Sequence, residues 1–234
     1  MIWEDHSRDI PKGKHALFGG SAYSWTNIKA DNDEDFEETL RTKYYNTFAK
    51  QVGTLVHEWC ADRIKYRKNV VKANKSDLFI YIMNNYDKHY DYISNGIIPD
   101  IPMSVAQYYV ERCFPNVMNY IKDANGFRLD AEVNLKYADE FYGTADAILY
   151  KKNEFLRIHD LKTGSTPASL RQLEIYAAFC CLEYDIDPSS VEIELRIYQN
   201  EEILVGNPTG DDIKSLMDQI KRTKIIFEKI KKEG

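Results

Sequence analysis

Two aspartates and a lysine interrupt apolar segments near the middle of the chain. Asp146 lies in "GTADAIL", and Asp160 lies fourteen positions later in "HDLKTG". The polar stretch "KKNE" joins these strand-like segments, so we expect an antiparallel pair that brings the two carboxylates together. Neighbouring carboxylates repel unless a proton or a cation lies between them, and a hard divalent ion such as Mg²⁺ is the usual partner of oxygen ligands. The spacing therefore predicts a cation site.

Lys162 follows Asp160 by two residues, so both side chains leave the same face of an extended chain. An ammonium group in that position can orient a nucleophile and stabilise negative charge on a phosphorane-like transition state. The triplet alone is a weak signal, because Asp212-Ile213-Lys214 has the same form at the start of a predicted helix, where an acid favours the helix dipole. Gly143 and Asp146 on a partner strand distinguish the first triplet.

Four further residues are candidates for the same site. Gln172 and Tyr176 are four apart and share a helix face, either as donors to a phosphate or as ordinary half-buried residues. His57, in "GTLVHEWC", is a metal ligand or an ordinary helical histidine. Glu132, in "DAEVNL", faces the site from the preceding strand or points to solvent.

The elements that must position these residues follow from the apolar periodicity. We expect a helix over about 35–66, two helical segments between 75 and 122 separated by "PDIP", and three strands after Phe127. A helix should begin at Thr166 and Pro167, followed by the strand "SVEIELRIYQ", then "EEILVGNP" as a strand or turn, and a C-terminal amphipathic helix. This order predicts one α/β domain over 1–234, with a helical insertion at about 70–125.

Composition limits the classes of protein. Hydrophobic residues make up 44% and charged residues 29%, and the net charge of −6 argues against non-specific coating of nucleic acid while allowing a local basic groove. We find no apolar leader and no run of 18 apolar residues, so we expect a cytoplasmic protein without a membrane span. The spacing of Cys60, Cys113, Cys180 and Cys181 suits neither a zinc knuckle nor a disulfide framework, which favours buried, reduced thiols.

A basic run, "RIKYRKNVVKANK", follows the helix of His57 and contains six basic residues. It is either a solvated helix face or a surface that contacts the phosphate backbone of a substrate, as neutralisation of phosphates requires. In the second case Arg63, Arg67 and Lys68 are the candidate substrate-binding residues, together with Glu132 at the site itself.

Taken together, "GTLVHEW", "GTADAIL", "HDLKTG" and "QLEIY" resemble the PD-(D/E)XK nuclease superfamily, within it the RecB-like branch of recombination and phage exonucleases. The resemblance covers 53–60 and 127–199 of the chain. It implies a restriction-endonuclease-like core, a central mixed sheet flanked by helices around a Mg²⁺ or Mn²⁺ site that hydrolyses DNA. The helical insertion and the N-terminal arm match no family that we can name.

The resemblance also implies roles for individual residues. The metal ligands would be the side chains of His57, Asp146 and Asp160 and the main-chain carbonyl of Leu161. Lys162 would be the catalytic lysine, and Gln172 with Tyr176 would match a Q-x-x-x-Y element. Glu132 matches a less constant acidic position. Some members hold an iron-sulphur cluster with three cysteines near the C-terminus. This chain has no cysteine after Cys181, so we expect no such cluster.

The functional expectation is a metal-dependent deoxyribonuclease, an exonuclease of recombination, repair or phage DNA metabolism in a bacterial or phage-infected cell. DNA is the expected partner, and because the chain has no P-loop pattern, unwinding would need a helicase or another recombination protein. One alternative is a catalytically silent nuclease fold that binds DNA or protein, although every acid and the lysine are present. Another is a glycosidase carboxylate pair, which the adjacent Lys162 argues against. Polarity, strand preference, exo- or endonuclease action and oligomeric state stay open.

Overall fold

A computed structural model describes residues 33–67, 73–86, 101–164 and 166–233. Its helices and strands, in chain order, are α1 (Asp33–Lys65), α2 (Lys75–Asn85), α3 (Met103–Phe127), β1 (Asp130–Ala138), β2 (Phe141–Lys151), β3 (Phe155–Leu161), α4 (Arg171–Glu183), β4 (Glu192–Gln199), β5 (Glu202–Gly206) and α5 (Gly210–Glu233). The N-terminal arm, the first half of "PDIP" and the predicted substrate contact Lys68 lie outside the described residues.

The five strands form one sheet in the order β1-β2-β3-β4-β5. Three of the four pairings are antiparallel, and β3 pairs with β4 in parallel after the crossover through α4. Parallel neighbours need such a crossover, whereas antiparallel neighbours need only a turn. The predicted α/β class with a mixed sheet flanked by helices is therefore confirmed, and "EILVG" forms a strand rather than a turn.

Two apolar clusters cover the two faces of the sheet. The α1–α3 core joins α1, α2 and α3 to the sheet through Ala147, Leu161 and Tyr198. The α4–α5 core packs α4 and α5 on the other face, with Ile148 and Ile158 among the strand residues. Because α3 contacts both β3 and β4, the predicted helical insertion forms part of the main core.

The predicted start of α4 at Thr166 and Pro167 is wrong, since the helix begins at Arg171. The Gln199 side chain holds the intervening backbone in a loop. Its Nε2 donates to the carbonyl oxygens of Gly164 and Thr166 at 2.7 and 2.8 Å, and its Oε1 accepts from the amide of Ala168 at 2.9 Å. A proline after threonine favours a helix start only when no distant side chain competes for those backbone groups.

In β1 and β2, residues two apart along the strand pack against opposite faces of the sheet at one point. In β1, Ala131 packs with the α1–α3 core whereas Val133 packs with the α4–α5 core. In β2 the same change separates Ala147 from Ala145. Residues two apart in a regular strand share a face, so both strands are locally twisted here. Glu132 lies at the inversion with φ 53°, a left-handed conformation that costs a residue other than glycine about 1–2 kcal/mol.

All four cysteines are free and buried, which confirms the predicted burial of the thiols. Burial raises the pKa of Cys60 well above its ordinary value and that of Cys113 to about 12, so these groups stay protonated. Among the residues that the structure describes, no helix combines the length and the apolar character needed to cross a membrane.

Candidate functional site

Three carboxylates lie in one row across β1, β2 and β3. The register pairs Ala131 with Ala147, which places Glu132 across from Asp146. It also pairs Ala147 with His159, so one step further along Asp146 lies across from Asp160. Directly opposed residues on antiparallel strands have neighbouring side chains. The register therefore places the two aspartates just beyond the end of the β2–β3 ladder, beside the inversion of the strands, and their joint binding of a cation stays a prediction.

His57 reaches the row from α1. Its Nδ1 lies 3.1 Å from Oδ2 of Asp146, and the backbone amide of Leu161 donates to the same oxygen at 2.9 Å. His57, Glu132 and Asp146 each offer one ligand atom, and these three atoms lie within 4.8 Å of one another. Glu132 therefore joins the candidate metal ligands, a role that its sequence position suggested only weakly. The contact of Leu161 is made by its amide, and its carbonyl as a ligand stays a prediction.

Asp160 and Lys162 form an ion pair on β3 and the turn after it. The Lys162 Nζ lies 3.0 Å from Oδ2 and 3.1 Å from Oδ1 of Asp160. Only 4% of the Asp160 side chain is exposed. Within the described part of the chain, its Oδ2 makes no hydrogen bond, since the nearby ammonium meets hydrogen-bond geometry with Oδ1. A buried carboxylate oxygen left in this state can still accept a cation.

A hydrogen-bonded chain continues from Lys162 to α4. Lys162 Nζ donates to Oε1 of Gln172 at 2.9 Å, and Nε2 of Gln172 donates to the Tyr176 hydroxyl at 2.8 Å. The predicted pair of donors facing a phosphate is therefore a chain in which Gln172 also accepts from the lysine. Gly143 makes room for the tyrosine, because a Cβ at that position would lie 2.5 Å from Cε1 of Tyr176.

The pKa values reflect excess negative charge in a buried place. Burial and the charge of Asp146 raise the pKa of Asp160 to about 7, against the opposing effect of Lys162. Burial of the carboxyl group and the same neighbour raise the pKa of Glu132 to about 7, although the residue as a whole is exposed at the surface. Burial alone would raise the pKa of Asp146, but His57 outweighs it and holds this pKa below its usual value.

The histidine responds in the opposite direction. Burial would lower the pKa of His57, but Asp146 and the other carboxylates raise it to about 9. The imidazole keeps 27% of its surface exposed, so its burial is less complete than that of Asp160. A histidine must be neutral to ligate a metal, so a bound cation would compete with the imidazole proton for this position.

The residues present fit a hard divalent cation. Carboxylate oxygens and one imidazole nitrogen are available, whereas the nearby thiol of Cys60 is protonated. Three carboxylates lie near only one lysine and one histidine, and the histidine would lose its positive charge on binding a metal. Negative charge is therefore in excess at the site. The buried Oδ2 of Asp160 supplies an acceptor that no described hydrogen bond satisfies. Mg²⁺ and Mn²⁺ suit this donor set.

The described cations of the basic run contact their own chain. The Arg63 guanidinium stacks on the Trp59 ring at 3.3 Å and donates to the Trp59 carbonyl. Arg67 lies 3.9 Å from the carboxylate of Asp130 and donates to Asn125. These contacts indicate a structural surface, and a role of Arg63 and Arg67 in substrate binding stays a prediction.

A second polar cluster lies on the α3 side of the same sheet and was not predicted. Arg196 donates to Asp123 on α3 and to Glu194, and the Tyr198 hydroxyl donates to Asp123 at 2.8 Å. His159, fully buried, contacts the Tyr198 hydroxyl at 3.2 Å, and burial lowers its pKa to about 3. Each carboxylate here has a cationic partner, so the cluster fastens α3 to the sheet.

Comparisons with protein-family models and with curated proteins gave no match.

Proposed function

We propose that the protein is a divalent-metal-dependent deoxyribonuclease that hydrolyses phosphodiester bonds. One observation carries the proposal: ligand atoms of His57, Glu132 and Asp146 lie within 4.8 Å of one another, and Asp160, paired with Lys162, is close enough for the charge of Asp146 to raise its pKa. Carboxylates collected in this way are costly without a cation, and a lysine beside a cation site serves chemistry on phosphate groups.

The metal would be held by His57, Glu132 and Asp146, whose ligand atoms lie within 4.8 Å of one another. Asp160 is not part of that group of three, and we propose it as a further ligand. When bound, a divalent ion supplies positive charge that offsets the negative charge of a phosphate group under attack. The amide of Leu161 and the imidazole of His57 orient Asp146, since both contact its Oδ2. These supporting contacts fix the direction in which the ligand oxygens point.

Lys162 would act on the substrate. Its ammonium has three protons, and its contacts with Asp160 and Gln172 leave one proton available within the described structure. The side chain is 30% exposed, so that proton can reach a phosphate oxygen. The Tyr176 hydroxyl accepts from Gln172 and so keeps its own proton for a second donation. Both donors would stabilise charge that develops on the phosphate.

DNA as the substrate, exonucleolytic action and a role in recombination, repair or phage DNA metabolism are proposed from the motif resemblance. The helicase or recombination protein that would present unwound DNA is part of the same proposal. The alternative of a silent binding module predicts the same fold without cleavage.

The test is incubation of purified protein with end-labelled single- and double-stranded DNA in Mn²⁺ or Mg²⁺. We expect cleavage that EDTA abolishes and that Asp160→Ala reduces by about 10³-fold or more. Asp212→Ala, in the second Asp-x-Lys triplet, is the matched control and should keep wild-type activity. A wild type that binds Mn²⁺ but cuts no DNA would leave the silent binding module as the better account.

A further inference from the structure

The backbone around Lys162 is held by three different elements. The Lys162 amide donates to the Tyr198 carbonyl of β4 at 3.0 Å. The next residue is fixed from the helices: Nη2 of Arg112 donates to the Thr163 carbonyl at 2.8 Å. Gly53 of α1 lies so close that a Cβ there would be 2.9 Å from Oγ1 of Thr163. The peptide unit before the lysine and the one after Thr163 are therefore restrained.

Arg112 is itself well oriented. It lies on α3, which packs against β3 and β4. Its guanidinium lies 5.5 Å from the ring of Tyr108 and 5.3 Å from the ring of Tyr109, within the range of cation–π contacts. A half-buried arginine held in this way loses little further side-chain freedom when it donates to a carbonyl.

We infer that Arg112 is a positioning residue for Lys162: through the Thr163 carbonyl, α3 fixes the backbone that directs the lysine ammonium at Asp160. The ammonium is placed within 3.1 Å of both Asp160 oxygens, and the fixed carbonyl belongs to the residue that directly follows the lysine. The helical segment outside the nuclease-like motifs thus contributes to the site by holding its lysine. The catalytic consequence rests on the proposed nuclease function, whereas the restraint on the turn does not.

Displacement of a catalytic group by about 1 Å can lower the rate by about 10²-fold. We therefore expect Arg112→Ala to lower kcat on DNA by roughly 10- to 100-fold, while KM and the affinity for Mn²⁺ stay unchanged. Glu111→Ala is the matched control, because Glu111 is the preceding residue on α3 and pairs with Lys75 on the outer surface. It should leave kcat at the wild-type value.

Two conservative variants separate positioning from direct binding of a substrate phosphate. Arg112→Lys keeps a donor and the charge, and Arg112→Gln keeps a donor without the charge. A positioning role predicts that both recover part of kcat and leave the salt dependence of DNA binding unchanged. Recovery by lysine alone, with a raised KM for the glutamine variant and a smaller salt slope, would overturn the inference in favour of phosphate binding.

Hydrogen exchange tests the restraint without any need for activity. The amides of Lys162 and Ala168 are hydrogen bonded in the wild type, so their exchange is measurable. In Arg112→Ala we expect the amide exchange rates across 162–168 to be at least roughly 10-fold higher than in the wild type. The increase should be smaller in Arg112→Gln, and the rates in α5 should be unchanged in both variants. Unchanged exchange in this turn contradicts the inference. Faster exchange in a protein that cuts no DNA contradicts the nuclease proposal alone.

Discussion

The two Asp-x-Lys triplets of the chain have the same form and different surroundings. Asp160 and Lys162 lie at the end of a strand, where residues two apart share a face, and their charged groups meet at 3.0 Å. Asp212 and Lys214 lie in the first turn of α5, where two positions are about 200° apart around the axis. The secondary structure therefore decides whether the aspartate and the lysine of the triplet form an ion pair with each other.

The partners of the second triplet explain its role. Asp212 accepts from the amide and hydroxyl of Thr209 and its own amide donates to that hydroxyl, which is the reciprocal arrangement of a capping box. Lys214 contacts Asp187 and Ser189 in the turn before β4. Each charge is used in folding, so this triplet has no need of a cation.

The comparison teaches that neighbouring charge, more than the triplet, identifies the site. Burial and Asp146 raise the pKa of Asp160, whereas hydrogen bonds from Thr209 lower the pKa of the exposed Asp212. One aspartate is strained by an excess of negative charge, and the other is stabilised by donors. Function is expected where the folded structure leaves such an excess.

The largest expected effect separates the two lysines. Lys162→Ala should lower kcat by about 10²- to 10³-fold, the size of effect seen when one donor to a developing negative charge is lost. Mn²⁺ binding should persist, because the ligands are intact. Lys214→Ala should leave kcat unchanged and reduce thermal stability slightly. Single-turnover cleavage with saturating Mn²⁺ measures both, and equal activity of the two variants would remove the distinction between the triplets.

A smaller effect should appear in the pH dependence of stability, measured by thermal unfolding in EDTA. The pKa of Asp160 is raised to about 7, so the folded state binds more protons and stability falls as the pH rises from about 4 to 7. Asp160→Asn should therefore raise Tm at pH 8 by a few degrees. The pKa of Asp212 is lowered, so its stabilisation exists above its unfolded pKa and is lost in acid. Asp212→Asn should lower Tm at pH 8.

The difference for Asp160→Asn should vanish near pH 3, where this carboxyl group is protonated in the folded and the unfolded states, and that for Asp212→Asn should shrink as the pH falls through its lowered folded pKa. A lower Tm for Asp160→Asn than for the wild type at pH 8 would show that Asp160 stabilises the metal-free fold, contrary to the account.

The order of elements and the antiparallel pairing of the strands that carry Asp146 and Asp160 were predictable, because they depend on local periodicity and a short hairpin. The inversion at Glu132 was not, since only the folded register shows a glutamate in a left-handed conformation. The start of α4 was also missed, because Gln199, 31 positions from Ala168, holds the loop before it.

The contact of Arg112 was likewise not predictable from the sequence. Its contact with the Thr163 carbonyl spans 51 positions and joins two segments whose patterns do not refer to each other. Periodicity placed Arg112 in a helix and ended the third strand at Leu161, two residues before Thr163, but the approach of α3 to the turn depends on packing of the whole α1–α3 core. Long-range contacts to backbone groups carry no signature in the residue types that make them.

Calorimetric titration with Mn²⁺ tests the central claim most directly, because it asks whether the carboxylate row binds a cation. We expect saturable binding by the wild type and by Asp212→Asn, and loss of that binding in Asp146→Asn, which removes the charge from the central carboxylate of the row. Binding that is absent from the wild type, or unchanged in Asp146→Asn, would contradict the central claim.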